Sequence, residues 1–201
     1  ARDKMRMNEL AGRLRRETGV TIDVLPADLT ALDQLRTVEA RLRDDVRISI
    51  LVNNAGANIG GGFADQATDD IARLVNLNAT SVVRLASAVA PRFVKAGEGA
   101  IINISSVVGL VPEFSMAVYG ATKAFVQFLS QGLAHELGPK GVYVQAVLPA
   151  ATATELWGRA GADEASLPPM MDVGAMVDAA LVGFDAREGV TIPPLHDGDL
   201  W

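Results

Sequence analysis

Runs of apolar residues alternate along the chain with segments of helical periodicity. Apolar runs predict strands at about 20–25, 47–53, 100–105 and 142–149, with a final short strand in GVTIPP (189–194). Helical patterns predict helices at 3–18, 31–44, 67–95, 115–137 and 172–185. Strands that alternate with helices indicate an α/β fold, a doubly wound parallel sheet covered on both faces. No repeat or linker interrupts the pattern, so residues 1–201 are expected to form a single domain.

Polar residues and glycine follow two of the predicted strands. The run ISILVNNAG (48–56) ends in Asn54, Ala55 and Gly56, and AIINISSVVG (100–109) ends in two serines and a glycine. Open α/β sheets bind ligands at the carboxyl ends of their parallel strands. The sequence therefore predicts a ligand site where these two strands end.

Tyr119 and Lys123 lie four residues apart on the predicted helix at 115–137, so both side chains share one helix face. A neighbouring ammonium favours the phenolate and lowers the pKa of a tyrosine, which is about 10 in isolation. Such a pair can exchange a proton with a carbinol oxygen. The spacing alone also arises by chance in many helices, so its interpretation as a functional pair depends on the surrounding motifs.

Composition excludes several other functions. The net charge of −6 and the pI near 4.9 give no support for nucleic-acid binding. The sequence has no cysteine, which excludes disulfides and thiolate metal sites, and no metal site is predicted. No apolar stretch is long enough to span a membrane. A cytoplasmic location is expected. A serine hydrolase would need a histidine beside Ser106, and neither His135 nor His196 lies in a supporting motif.

The motif order is strand–NNAG, helix–Asn, strand–Ser, helix–Tyr-x-x-x-Lys, and it closely resembles the short-chain dehydrogenase/reductase family over nearly the whole chain. The resemblance implies an NAD(P)-dependent oxidoreductase that transfers hydride between a nicotinamide cofactor and a carbonyl or secondary alcohol. Tyr119 would then be the acid/base, and Lys123 would lower its pKa and bind the nicotinamide ribose. Ser106, 13 residues before Tyr119, would orient the substrate carbonyl. The alternative reading of Ser106 is a hydroxyl that satisfies loop backbone.

The same resemblance assigns Asn78 as the asparagine that holds a water beside the lysine. Asn76 is its competitor, and an asparagine at a helix bend is the structural alternative. Asn54, Ala55 and Gly56 match the stretch that packs against the adenosine part of the cofactor, or they simply support the strand.

Further cofactor contacts follow from the resemblance. Asp28 would contact the adenine ring, although a helix-capping aspartate fits equally. Arg2 matches a position where a basic residue pairs with a 2′-phosphate, which favours NADP over NAD; an ordinary solvated arginine is the alternative. Pro149, Thr152 and Thr154 would bind the nicotinamide amide and phosphates, although alanine at 150 replaces the family's glycine.

One part of the family pattern is not found. The glycine-rich T-G-x-x-x-G-x-G turn that carries the pyrophosphate is absent, so the sequence is expected to be incomplete at its N-terminus and to lack the first β-α-β unit. Without the central strand, the strands at 20–25 and 47–53 would each keep an unpaired edge. The segment at about 152–171 matches the family's substrate lid, and its apolar residues suit either an apolar substrate or ordinary packing of the lid.

Two other functions remain open from the sequence. A non-catalytic relative that acts as a nucleotide-binding sensor or scaffold is the main alternative, because the glycine-rich turn is missing. A sugar-nucleotide epimerase also uses Y-x-x-x-K, but the region after residue 150 is short for its substrate domain. The partner expected for the enzyme is a small carbonyl or alcohol substrate. The family resemblance also implies a homodimer or homotetramer through the helix at 115–137, although burial within the subunit would explain the apolar residues of that helix equally well.

Overall fold

A computed structural model describes residues 1–161 and 169–195. The seven helices of these residues are α1 Lys4–Thr18, α2 Leu32–Asp44, α3 Thr68–Val75, α4 Ser81–Ala96, α5 Ala117–Leu137, α6 Leu156–Arg159 and α7 Val173–Asp185. The strands are β1 Ile50–Asn53, β2 Gly99–Ile104, β3 Val142–Val147 and β4 Val190–Thr191. None of the described helices is long and apolar enough to cross a membrane.

The four strands form one parallel sheet in the order β1-β2-β3-β4. Successive side chains of a strand point to opposite faces. In β3, Val144 belongs to the apolar core that also contains Phe93 of α4, whereas Gln145 donates a hydrogen bond to the carbonyl of Ala180 in α7. Helices therefore flank the sheet on both sides, which confirms the predicted α/β, Rossmann-like fold.

The strand predicted at 20–25 is wrong, since the structure forms no strand there. Ile22 and Val24 are partly buried and alternate with exposed neighbours, as in a strand. A strand, however, also needs a hydrogen-bonded partner, and among the described residues β1 pairs only with β2. The free edge of β1 leaves Ile50 and Val52 about half exposed.

The single helix predicted at 67–95 is divided by a π-helical turn, Asn76–Thr80, between α3 and α4. A π turn adds one residue to the helical repeat and often occurs at functional sites. Here it turns Asn78 inward, where 1% of its surface is exposed, while Asn76 stays on the surface. Of the two asparagines in the π turn, Asn78 therefore faces the protein interior.

A buried ladder of polar side chains fixes α5 on the sheet. Asn53 Nδ2 donates to Asn103 Oδ1 (2.9 Å), and Asn103 Nδ2 donates to Ser130 Oγ (2.9 Å). The Ser130 hydroxyl in turn donates to the carbonyl of Val126 (2.7 Å). Buried hydrogen bonds of this kind permit only one register between the two strands and the helix.

The turn after β2 packs directly against α5 through Gly109. A Cβ atom at this position would lie 2.7 Å from the backbone nitrogen of Ala124 and 2.9 Å from the carbonyl carbon of Lys123. Such contacts are too short for any side chain. Glycine therefore lets the turn approach α5 where the helix carries Lys123.

Gly109→Ala is expected to destabilise the protein by about 1–3 kcal/mol, because the added methyl group must push the turn away from the helix. The matched control is Gly132→Ala in α5, where a Cβ would meet nothing within 4 Å and alanine favours the helix by about 1 kcal/mol. Urea unfolding of the two variants measures both effects. Equal stability of the variants would contradict the close packing at Gly109.

Candidate active site

The site lies where the first turns of α5 meet the carboxyl end of β2. Lys123 extends into the interior, with 7% of its surface exposed, and its Nζ donates to the carbonyl of Ile104 (2.9 Å). Burial disfavours the charged ammonium and lowers the pKa of Lys123 to about 8. The hydroxyl of Ser105 donates to the carbonyl of Lys123 (2.7 Å) and fixes this turn of α5 from the strand side.

Tyr119 lies one turn before Lys123, and its phenol is close to the side chain of Ser106. Burial raises the pKa of Tyr119, and the hydrogen bond with Ser106 lowers it by less. The Lys123 ammonium lies over the phenol ring, 5.6 Å from its centroid. The lowering of the Tyr119 pKa by Lys123 that the sequence predicted is therefore not the dominant effect here. The reason is that burial outweighs it, while the ammonium donates to a carbonyl.

The two serines at the end of β2 have different contacts. Ser106 accepts from the amide of Val108 (3.2 Å), donates to the carbonyl of Pro149 (3.3 Å) and lies close enough to Tyr119 to lower the pKa of the phenol. Ser105 instead binds helix backbone. The structure thus brings Ser106, not Ser105, to the phenol, and it also shows the backbone contacts of the alternative reading.

Asn78 reaches the site from the π turn. Its Oδ1 accepts from the amide of Ala57 (3.0 Å), and its Nδ2 donates to the carbonyl of Ala57 (2.9 Å) and to Thr122 Oγ1 (3.2 Å). A Cβ at Gly56 would lie 3.5 Å from Asn78 Oδ1 and 3.6 Å from Lys123 Nζ. Asn78, Lys123 and the backbone of Gly56 therefore share one corner of the site.

A cleft of about 890 Å³ opens beside this corner. Five residues predicted to bind the cofactor line it together, although they come from three separate parts of the chain: Arg2, Asp28, Asn54, Ala55 and Gly56. The glycine at 56 lies between the cleft and the Asn78–Lys123 corner. An elongated ligand in the cleft would therefore end beside Lys123.

Arg2 and Asp28 form an ion pair in the cleft, with 3.4 Å between Nη1 and Oδ2. The carboxylate of Asp28 also accepts from the hydroxyl (2.7 Å) and the amide (2.9 Å) of Thr30, and these bonds lower the pKa of Asp28. Asp28 therefore closes a local turn at Thr30 and does not cap α2, whose N-cap is Ala31, so the helix-capping alternative is wrong. Arg2 remains largely exposed.

Pro149, Thr152 and Thr154 do not line the cleft. The carbonyl of Pro149 accepts from Ser106 and from the amide of Val107 (3.1 Å). Thr152 donates to the carbonyl of Ala150 (3.0 Å), and Thr154 Oγ1 accepts from the amide of Leu156 (3.4 Å). These three residues instead shape the segment after β3. Of the predicted lid, residues 162–168 lie outside the described residues.

Sequence reasoning did not identify Thr122, which is buried and bonded to Asn78, or Arg6, which lines the cleft. Arg6 forms a two-point ion pair with Glu155 (2.9 and 2.6 Å). Arg6 lies in the first turn of α1, four residues after Arg2, and this short separation in the sequence was a signal for its position. Among residues 1–161 and 169–195, no group of three His, Cys, Asp or Glu side chains could hold a metal ion.

Comparison with curated proteins finds the very-long-chain 3-oxoacyl-CoA reductases of Bos taurus and Homo sapiens, which are 36% and 34% identical over 160 residues. The alignments cover 78% of this chain but 51% of each relative, so the chain spans about half the length of these relatives.

Two proteins of solved structure have a higher sequence identity to this chain than these relatives have. A short-chain dehydrogenase from Sphingobium yanoikuyae in complex with NADPH is 63% identical, with a TM-score of 0.98 over all of this chain and 78% of that one. A bulky-bulky ketone specific alcohol dehydrogenase from Comamonas testosteroni is 59% identical, with a TM-score of 0.92 over all of this chain and 77% of that one.

The family model described as short chain dehydrogenase matches residues 1–165, most of the chain. The four motifs on which the resemblance rested, including the Tyr119–Lys123 pair, lie within that match. The chain belongs to the short-chain dehydrogenase family.

Proposed function

We propose that this protein transfers hydride between NADP(H) and a ketone or secondary alcohol, with Tyr119 as the acid/base. One observation carries the proposal: the Lys123 ammonium lies over the ring of Tyr119, 5.6 Å from its centroid, while Ser106 is close enough to lower the pKa of the phenol. This group of three side chains lies next to Gly56, where the cleft begins. The geometry supports proton transfer to a substrate oxygen beside a bound cofactor.

The residues of the cleft fit a dinucleotide. Its volume of about 890 Å³ suits a large ligand, and any side chain at Gly56 would fill the corner between Asn78 and Lys123. Arg2 would pair with a 2′-phosphate, and Asn54, Ala55 and Gly56 would form the wall on the other side. Lys123 and Tyr119 would meet the nicotinamide end. The NADPH-bound Sphingobium enzyme supports NADP as the cofactor, which when bound supplies or accepts the hydride.

The protein's own residues would hold the proton and transfer it to the substrate. In the reducing direction Ser106 and Tyr119 donate hydrogen bonds to the carbonyl oxygen, and Tyr119 transfers its proton as that oxygen becomes an alkoxide. The raised pKa of Tyr119 keeps the phenol protonated at neutral pH, as a donor must be. Once the proton has left, the positive charge of Lys123 above the ring stabilises the phenolate. Asn78 fixes the backbone of Ala57 at the edge of the cleft.

The substrate class we propose is a ketone with two bulky substituents. The 59% identity to the Comamonas enzyme supports this class more strongly than the lower identity to the 3-oxoacyl-CoA reductases supports a thioester. Trp157 lies in the segment after β3, where its Nε1 donates to the carbonyl of Thr152 (2.8 Å). Trp157, Leu156 and Met170 would provide the apolar surface for such a substrate.

We also propose a homodimer or homotetramer. Phe128 on α5 is 80% exposed and Phe125 is 44% exposed. Large apolar side chains that project together from one helix favour a contact with another subunit. The cytoplasmic location expected from the sequence stays a prediction.

The full-length protein is expected to oxidise NADPH when given a bulky ketone, and Tyr119→Phe is expected to lower kcat by about 10²- to 10⁴-fold, because the proton donor is lost. The control is Tyr143→Phe, which removes the other tyrosine hydroxyl of the sequence. That hydroxyl donates to the carbonyl of Glu188 (2.7 Å), and Tyr143 lies near the amino end of β3, at the opposite edge of the sheet. NADPH binding without turnover of any ketone would support the sensor or scaffold function instead.

Arg2→Ala is expected to raise KM for NADPH about tenfold and to leave KM for NADH unchanged, because only NADPH carries the phosphate that pairs with the guanidinium. Arg13→Ala is the matched control, since Arg13 lies on α1, the helix that follows Arg2, but pairs with Glu17 and does not line the cleft. Steady-state kinetics with both cofactors measure the difference. Equal losses with NADPH and NADH would assign Arg2 a general structural role.

The buried Lys123 predicts how stability changes with pH. Its pKa of about 8 in the folded protein lies below the ordinary value of 10.5, so between these values the unfolded chain binds the proton that the folded chain has lost. The unfolding free energy of the wild type should therefore rise with pH relative to Lys123→Met, by up to roughly 3 kcal/mol across that range. Below pH 8 the folded protein holds Lys123 in its charged form, and the full cost of burying that charge reduces the unfolding free energy.

Urea unfolding without cofactor, at about pH 7 and about pH 10, measures this difference. Lys95→Met, at an exposed position near the end of α4, is the control for removing a lysine. A constant difference between wild type and Lys123→Met over this range would show that Lys123 is not a buried, titrating ammonium.

A further inference from the structure

Thr122 connects two of the residues to which the proposed function assigns roles. It lies on α5 between Tyr119 and Lys123, and 4% of its surface is exposed. Its hydroxyl donates to the carbonyl of Tyr119 (2.7 Å) and accepts from Asn78 Nδ2 (3.2 Å). A hydroxyl has one hydrogen, and because that hydrogen is directed at Tyr119, the oxygen can only accept from Asn78.

This contact fixes the direction of the Asn78 amide. One hydrogen of Nδ2 is bonded to the carbonyl of Ala57 and the other to Thr122, while Oδ1 accepts from the amide of Ala57. All three bonds lie in a buried corner, where a polar hydrogen without a partner is costly. The amide therefore has one favourable orientation, with its oxygen beside Gly56.

The bonds continue from the helix to the wall of the cleft. Thr122 connects the first turn of α5 to Asn78, and Asn78 connects to both backbone groups of Ala57. The preceding residue, Gly56, lines the cleft and lies beside Lys123 Nζ. The distance between the proton donor on α5 and the cleft wall is therefore set through the Thr122 hydroxyl.

We propose that Thr122 is a positioning residue, which holds Asn78 and the 54–57 segment in register with Tyr119 and Lys123. The inference rests on the proposed function, since it describes how that site is kept in its working geometry. A mutation that removes the hydroxyl would leave one Asn78 hydrogen without a partner and would loosen the cleft wall. The value of kcat would then fall, although no reacting group has been changed.

The same helix contains a matched control. Ser130, two turns further along α5, donates to the carbonyl of Val126 and accepts from Asn103 Nδ2. It is equally buried and makes the same kind of bonds to backbone and to an asparagine amide. It lies between α5 and the sheet and contacts neither the cleft nor Asn78. A stability effect common to both hydroxyls can thus be separated from an effect on the site.

The experiment compares Thr122→Val, Thr122→Ser and Ser130→Ala in the full-length protein. Thr122→Val is expected to lower kcat for ketone reduction about tenfold, with a smaller change in KM for the ketone, because one hydrogen bond that positions the site is lost. Thr122→Ser keeps the hydroxyl and should restore kcat to within about twofold of the wild type. Ser130→Ala should reduce the unfolding free energy and leave kcat unchanged.

A readout that does not depend on turnover is the side-chain amide of Asn78, followed by hydrogen exchange in NMR spectra. Its exchange should become faster in Thr122→Val and stay slow in Thr122→Ser and Ser130→Ala. If the wild type shows no turnover, the proposed function fails, and this exchange alone tests whether Thr122 holds the amide. Unchanged exchange in Thr122→Val would then overturn the proposal.

A wild-type kcat in Thr122→Val, with the same loss of stability as Ser130→Ala, would also overturn it, since Thr122 would then act only on folding. If Thr122→Val does not fold, Thr122→Cys takes its place, because a thiol is a weak donor and a weak acceptor. Its kcat is expected to fall between those of Thr122→Ser and an inactive enzyme. Full activity of the cysteine variant would contradict the proposal.

Discussion

The hydrogen bond from the buried ammonium of Lys123 to the carbonyl of Ile104 is the contact on which the site depends. A charge taken out of water is tolerated only where polar partners receive it, and the carbonyl at the end of β2 is such a partner. Ser105 closes the same junction from the strand by donating to the carbonyl of Lys123. These two bonds hold α5 against the sheet edge, so Tyr119 one turn earlier is placed beside Ser106.

Burial at this junction shifts the pKa values of the two titrating groups in opposite directions. It raises the pKa of Tyr119 and lowers that of Lys123, because each group is driven toward its neutral form. The phenol is therefore held in its protonated form, while the lysine keeps its charge at neutral pH although its pKa is only about 8. A phenolate formed during a reaction would restore the balance, because its negative charge would favour the ammonium above the ring.

The sequence predicted the parts of the site that depend on local spacing and on motif order. Tyr119 and Lys123 share a helix face because of their four-residue separation, and Ser106 follows a strand that was visible as an apolar run. The strand at 20–25 could not be judged in this way, since a strand depends on a distant partner. The bond from Asn78 to Thr122 was equally hidden, because it joins residues 44 positions apart and Asn78 lies in a π turn that the helical pattern did not reveal.

The two sides of the site are held by different kinds of interaction. On the α5 side, buried amide–hydroxyl bonds at Thr122 and Ser130 anchor the helix at two points, and losing either leaves an unpaired polar hydrogen. On the far side of the cleft, the pairs Arg2–Asp28 and Arg6–Glu155 are largely exposed to solvent, where ion pairs contribute little to stability. In the proposed enzyme, phosphate groups of the cofactor would replace the carboxylate partners of these arginines at small cost, while the α5 side keeps its geometry. The fold thus combines a rigidly held α5 with a cleft wall whose exposed arginines can change their ion-pair partners.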